Sequence, residues 1–322
     1  MALRRHVLAG AAALALPAVR HPAWAQEWPN RPVRLIATFE PGGAADQLAR
    51  AIAAATGPEL GQTVVVENRT GAAGNIGTEM TARATDGHTF LLASTGPMTY
   101  HSILFRTLPF DPLKDLTPIG FGAFSPNIFA ARNDLGLTRL DQVVEAARRA
   151  PGRMNYGSAG TGTTQHLAGE MLQEATGIQL THVPYRGGAP ALRDLLGGQL
   201  EFLVTTGSGA TMMREGRITP IAVMGPSRIT ALPDTPTLQE AGLRDFSATA
   251  WYGVVGPAGV PRPVVSRLSG ALRTALSDPA LAARMRDQTL EVQPGTPEEF
   301  AAFIESERRR WEPVARRFAA SM

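Results

Sequence analysis

Two glycine-rich turns hold the residue types best suited to gripping an anion. The first reads Phe39-Glu40-Pro41-Gly42-Gly43-Ala44-Ala45-Asp46, between a β-rich run and a helical one. The second, in the same setting, reads Gly157-Ser158-Ala159-Gly160-Thr161-Gly162-Thr163-Thr164-Gln165-His166. Glycine lets the backbone turn tightly and lets a ligand approach the main chain. The first amides of the following helix lack intrahelical acceptors, and the helix dipole favours negative charge there. The chemistry on offer is capture of an anion by main-chain N–H groups. Neither turn ends in Gly-Lys-Ser/Thr, and the second lacks G-x-G-x-x-G spacing, which removes the nucleotide signatures. The same glycines also serve as plain strand-to-helix loops, and Asp46 equally serves as a first-turn helix acid.

Other residue types offer less. Ser158 with His166 could supply a nucleophile and base, the basis of a rival hydrolase reading, but no G-x-S-x-G elbow is present. Arg186 is either a carboxylate fork or a brace for the Pro184–Gly187 turn. Trp251-Tyr252 either stacks on a ligand or packs at a hinge. His88, His101, His166 and His182 do not have the spacing of a compact zinc motif, so no metal and no cofactor is expected. The chain has no cysteine, which excludes disulfides and thiolate chemistry. Its only lysine is Lys114, which confines Schiff-base chemistry to that residue. Arg308-Arg309-Arg310, with Glu305 and Glu307, reads as a solvated helix face.

The elements that must position these turns alternate. A strand at Val33–Phe39, a helix through Leu48, Ile52 and Ala55, and a strand at Thr63–Val66 form one βαβ series. The continuous apolar run Val64-Val65-Val66 reads as a strand buried on both faces. A helix at 75–84 and a strand at His88–Ala93 follow. The pattern restarts at Met154 with a helix at Thr163–Ala175, a strand at Leu180–Val183, a helix at Ala189–Leu196 and strands at Leu200–Val204 and Pro220–Val223. After Trp251 the chain reads as helices. Alternation of this kind predicts parallel, doubly wound sheets, with ligands at the carboxyl ends of the strands.

Residues 1–25 carry Arg4-Arg5, an apolar run from Val7 to Val19, and Ala23-Trp24-Ala25. This is the order of a cleaved export signal, and the run is too short to span a bilayer. The expected mature start is Gln26, with export by the Sec or twin-arginine route to the periplasm. That stretch holds three Arg and no acid, so the formal +3 becomes 28 basic against 28 acidic residues. Charge therefore gives no reason to expect a nucleic-acid partner. The remaining 297 residues lie at the size where one core divides into two. The expected division is a first lobe at 26–124, a second at 125–249, and a return to the first at 250–322.

The chain resembles the Bug, or tripartite tricarboxylate transporter, substrate-binding family. The matching residues include Trp28-Pro29-x-Arg31-Pro32-Val33-Arg34, Pro41-Gly42-Gly43-x-x-Asp46, and Val65-Val66-Glu67-Asn68-Arg69-x-Gly71-x-x-Gly74-Asn75-Ile76-Gly77. Others are Leu108-Pro109-Phe110-Asp111-Pro112, His182-Val183-Pro184-Tyr185-Arg186-Gly187 and Leu232-Pro233-Asp234-x-Pro236-Thr237. The resemblance implies an α/β, type II-like Venus-flytrap binding protein with a doubly wound sheet in each lobe. It also implies a monomer whose partners are a small organic carboxylate and transporter subunits or a sensor receptor. The implied ligand-binding residues are Phe39, Glu40, Pro41, Gly42, Gly43 and Asp46 from one turn. From the other come Ser158, Ala159, Gly160, Thr161, Gly162, Thr163 and His166. Ser94, Thr95 and Gly96 line the cleft after the His88–Ala93 strand. Glu40 stands where the family has a small or apolar residue, and Thr205-Thr206 where many members have an Asp-containing pair. Thr205 is therefore placed among the ligand-binding residues, and Glu40 is expected to disfavour a second negative group on the ligand.

Overall fold

The computed structural model describes residues 28–321. The stretch read as an export signal, with its expected mature start at Gln26, lies outside them. The chain runs β1 (Val33–Ala37), α1 (Ala44–Leu60), β2 (Val64–Asn68), α2 (Asn75–Ala82) and β3 (Thr89–Ser94). Two short helices, α3 (Thr95–Thr99) and α4 (His101–Leu104), precede the long strand β4 (Leu116–Pro126). β5 (Ile128–Arg132) follows after Asn127 alone, then α5 (Leu140–Arg149), β6 (Asn155–Ser158), α6 (Thr164–Thr176) and β7 (Thr181–Pro184). Next come α7 (Gly188–Leu196), β8 (Phe202–Thr205), α8 (Ala210–Arg214), β9 (Ile218–Val223) and β10 (Thr249–Pro257). The chain ends with α9 (Arg262–Leu276), α10 (Pro279–Arg286), β11 (Glu291–Val292) and α11 (Pro297–Ser321).

Two sheets result, ordered β11-β4-β10-β3-β1-β2 and β7-β6-β8-β5-β9. The pairs β1/β2, β1/β3, β6/β7 and β6/β8 are parallel, as alternation predicts. β10 and β5 instead run antiparallel to both their neighbours. The cause is the crossing between lobes. The carboxyl ends of β1, β3, β6 and β8 face the cleft, so a strand arriving from the other lobe enters at the cleft and runs away from it. β10 was hidden in a stretch read as helical because every one of its residues is buried and no alternation marks it. β2 corrects a second reading. It is an edge strand, paired only with β1, and its Val65 is 41% exposed. An apolar run by itself does not separate an edge strand from a central one.

Each sheet carries a core on both faces, because successive strand residues point to opposite sides. In β1, Val33, Leu35 and Ala37 join α1 and α9 side chains such as Leu48, Ile52 and Leu272, while Ile36 faces Trp251, Phe300 and Ile304. The second sheet has one face on Leu167, Leu172 and Trp311 and the other on Ala191, Leu195 and Met213. Helix α11 begins on the first sheet with Phe300 and ends on the second lobe with Trp311 and Ala315. Tyr100 also joins the second lobe's core.

Sheet membership changes at Asn127. Its side-chain Nδ2 donates to the Ala248 carbonyl at 2.9 Å, and its own carbonyl accepts from the Met224 amide at 2.7 Å. These bonds tie the outgoing and returning strands together at the crossing.

Candidate functional site

The first turn closes β1 onto α1. Gly42 takes φ +87, and Gly43 is the N-cap with φ −80 and ψ 171. Asp46 is 4% exposed and braces this turn from behind. It accepts from the Gly42 amide at 3.0 Å, from Arg50 Nε at 3.0 Å and from Asn68 Nδ2 at 2.9 Å. Burial alone would raise its pKa, but those bonds, with the Arg50 charge, outweigh burial and hold the carboxyl below its ordinary value. Its hydrogen bonds are spent within the fold, so Asp46 shapes the turn.

The second turn closes β6 onto α6. Thr163 is the N-cap, and its Oγ1 accepts from the His166 amide at 3.4 Å. Gly160 and Gly162 take φ +130 and +86. The Gly162 amide donates to His166 Nδ1 at 3.1 Å. Ser158 is fully buried, and its Oγ lies 2.7 Å from His182 Nε2 and accepts from the Gly160 amide at 3.1 Å. Ser158 therefore pairs with His182, and His166 is committed to Gly162. The His166 and His182 rings stack at 3.7 Å. Burial pushes His166 down to about 3 and His182 down to about 4, so both rings are neutral, and His166 Nδ1 is the acceptor of its pair with Gly162.

Between the turns lies a small cavity of about 20 Å³. Of the expected residues, Phe39, Ser94, Thr95, Gly96 and Thr163 line it. Ala73, His101, Thr164, Gln165, Ala250 and Tyr252 complete it. No lining side chain is charged: burial holds His101 down to about 3. Ser94 Oγ is buried with no hydrogen-bond partner. Burial pushes the Tyr252 hydroxyl up, so it stays protonated, 3.4 Å from Thr206 Oγ1. Gln165 Nε2 donates to the same Thr206 oxygen at 3.3 Å. The result is a neutral wall of hydroxyl and amide groups beside the openings of α3 and α6.

The remaining expected residues stand elsewhere. Glu40 sits at the lip, half-buried, with Thr70 Oγ1 donating to its Oε1 at 3.4 Å. A Cβ added at Gly187 of the second lobe would stand 3.3 Å from Glu40 N and Cβ, and one at Gly43 would stand 3.8 Å from Ser208 Oγ. The lobes therefore touch along this lip. Pro41, Gly42 and Thr161 are exposed, and Ala159 and Gly160 are buried beneath the second turn. Thr205 is buried at the end of β8, with its Oγ1 donating to the Ser208 carbonyl at 3.4 Å. Arg186 is exposed, one residue before Gly187. Trp251 is wholly buried against Phe121, Phe300 and Phe303, while its neighbour Tyr252 faces the cavity. Sequence reasoning did not select Thr164 and Gln165, although both lie in the first turn of the helix that the second glycine-rich loop opens. Ala73 carried no signal, because its role depends on a left-handed loop at φ +53. Among the described residues there is no cluster of three or more His, Cys, Asp or Glu able to hold a metal, and no helix long and apolar enough to cross a membrane.

Residues 48–319 match the model of the tripartite tricarboxylate transporter family receptor. BugT of Bordetella pertussis is 32% identical over 312 residues, covering 96% of both chains. The structure of an R. palustris protein with adipate is 33% identical, with a TM-score of 0.88 over 91% of this chain and 99% of that one. MatC from Rhodopseudomonas palustris with bound malate is 30% identical, with a TM-score of 0.84 over 89% and 100%. The two-lobed α/β fold, the two facing turns and these matches place the chain in the Bug, or tripartite tricarboxylate transporter receptor, family of periplasmic solute-binding proteins.

Proposed function

We propose that this protein captures a small organic carboxylate between its lobes and delivers it to a membrane transporter of the tripartite tricarboxylate type. The observation that carries the reading is one uncharged cavity bordered by α3 on one lobe and by the opening of α6 on the other. Their first amides, with the unpartnered Ser94 hydroxyl, suit an acceptor-only ligand group. Binding at micromolar strength needs about 8 kcal/mol. Hydrogen bonds to a charged group contribute about 1.5–3 kcal/mol each, so a few donors suffice before ordering costs. The bound adipate and malate of two relatives agree with this ligand class. No bond is made or broken in this role. Export to the periplasm, with cleavage after Ala25, completes the reading.

A thermal-shift screen of mono-, di- and tricarboxylates tests it. A true ligand at 100 times its dissociation constant stabilises by about 2.7 kcal/mol. A screen in which amino acids, sugars or amines shift the melting point while no carboxylate does would refute the reading.

A further inference from the structure

Gly162, the last glycine of the second turn, is held at both its N–H and its C=O. Its N–H donates to His166 Nδ1 at 3.1 Å, and its carbonyl accepts from His101 Nε2 at 3.1 Å. His166 belongs to the same lobe as the turn. His101 comes from the segment that follows β3 of the first sheet, where it opens α4. Its side chain is wholly buried. A carbonyl oxygen only accepts, so Nε2 carries a proton. Nδ1 lies 2.6 Å from Asn75 Oδ1. No carboxylate bonds to this ring, and a buried, unpaired imidazolium is costly. With Nε2–H donating to the Gly162 carbonyl, a neutral ring leaves Nδ1 bare, and the Asn75 amide must exchange its Oδ1 and Nδ2 positions to donate to it, since amide O and N are assigned from the hydrogen-bond network.

Packing locks the ring in place. A side chain at Gly96 would collide with it, and Phe105 meets it edge-on at 4.8 Å. Phe105 also covers Gly162, standing 3.2 Å from where a Cβ would be. With both nitrogens engaged, the ring offers the cavity no polar atom. Its effect passes through the Gly162–Thr163 peptide, whose plane sets the direction in which α6 begins.

We propose that His101 is a positioning residue for ligand capture: as the Nε2–H tautomer it joins the first lobe's cleft segment to the second lobe's anion turn and fixes the Gly162–Thr163 peptide. The inference rests on the cleft being the carboxylate site. Sequence gave His101 no role beyond its unsuitable spacing for zinc.

Three readings on the full-length protein test it. Long-range ¹H–¹⁵N correlation of the unliganded protein at neutral pH should show His101 protonated on Nε2 alone; an Nδ1–H or doubly protonated ring overturns the proposal. Amide exchange of Thr163, whose N–H shares the peptide with the Gly162 carbonyl, should accelerate about tenfold in His101→Leu, the effect of one lost hydrogen bond. His101→Gln, whose side-chain amide can donate to that carbonyl, should stay within about threefold of wild type. Equal exchange in His101→Leu and wild type overturns the proposal. With malate and adipate as probes, His101→Leu should weaken binding about tenfold and His101→Gln by less than about threefold. Unchanged affinity in His101→Leu overturns the positioning role. If wild type binds no carboxylate, the carboxylate reading fails, while the tautomer and exchange readings still decide the contact.

Discussion

Gly43 is the N-cap of α1 and Gly162 the residue before the N-cap of α6, and sequence reasoning expects both to resist bulk because an anion must approach. The structure separates them. Gly162 holds φ +86, where a residue with a Cβ is strained by roughly 1–2 kcal/mol. Its Cβ would also stand 3.2 and 3.3 Å from Phe105 ring atoms and 3.7 Å from His101 Nε2. Phe105 must then yield by a few tenths of an ångström, so Gly162→Ala should lose about 1–3 kcal/mol in all. Gly43 holds φ −80, and its Cβ would meet the Glu40 carbonyl oxygen at 3.7 Å and Ser208 Oγ at 3.8 Å, ordinary contacts. Alanine is a clearly poorer N-cap than glycine, by up to about 1 kcal/mol, but it lowers unfolded-chain entropy by about 0.4–1 kcal/mol, so Gly43→Ala should stay within about 0.5 kcal/mol of wild type. Differential scanning calorimetry of the ligand-free proteins reads both. About 2 kcal/mol corresponds to about 4–8 °C in a chain near this size. If Gly43→Ala falls as far as Gly162→Ala, or Gly162→Ala melts with wild type, the backbone argument is wrong.

The same geometry carries four more expectations. Asp46→Ala strips the acceptor from the Gly42 amide, Arg50 and Asn68 and should cost about 2–4 kcal/mol in chemical denaturation, a loss below about 0.5 kcal/mol showing that the turn needs no brace. His166 and His182 titrate at about 3 and about 4 when folded, against 6.5 unfolded, so the unfolded chain binds protons first as pH falls. Their contribution is complete above pH 6.5 and is lost as pH falls towards 4 and 3, at up to about 1.4 kcal/mol per pH unit for each ring. Glu67, held at about 2 by the Arg34 hydrogen bonds, acts in the same direction in a lower window, between 4.5 and 2, so a melting temperature flat from pH 7 to 5 would contradict the buried histidines alone. Ala73→Gly relieves a left-handed alanine at the cavity, worth roughly 1–2 kcal/mol less roughly 0.5–1 kcal/mol of glycine entropy, and should raise the melting point while enlarging the cavity; a lower melting point would contradict the strain. Glu40→Ala should improve binding of dicarboxylates relative to a carboxylate bearing an amine or hydroxyl, and equal changes for both in calorimetry would leave Glu40 as plain surface.

Much of the scaffold was legible without coordinates. Helices α1, α6, α7 and α9 and strands β1, β3, β6 and β8 announce themselves by period, and α6 and α7 also by the glycine after them, because those signals depend on local backbone geometry; Gly57-Pro58, which reads as the end of α1, lies inside it, and the helix runs on to Leu60. For the same reason both glycine-rich turns could be found, and Thr163 and His166 assigned to the opening of a helix. The crossing strands were another matter. β10 is buried along its whole length, and its antiparallel sense follows from entry at the cleft, which no local pattern records. The Ser158 partner depended on register: β6 pairs with β7 so that Tyr156 faces His182, and that alignment brings His182 to Ser158 while His166 turns to Gly162. Cavity membership depended on the lobes meeting. Ala73, His101, Gln165 and Tyr252 come from four separate stretches, and only the Asn127 crossing and the packing of Tyr100 and α11 onto the second lobe bring them around one space. Sequence by itself thus determined the turns, since each is set by a few adjacent residues. Tertiary structure alone decided which side chains complete the site, since hydrogen bonds such as His101 to Gly162 join residues 61 positions apart and exist only once two sheets have closed on each other.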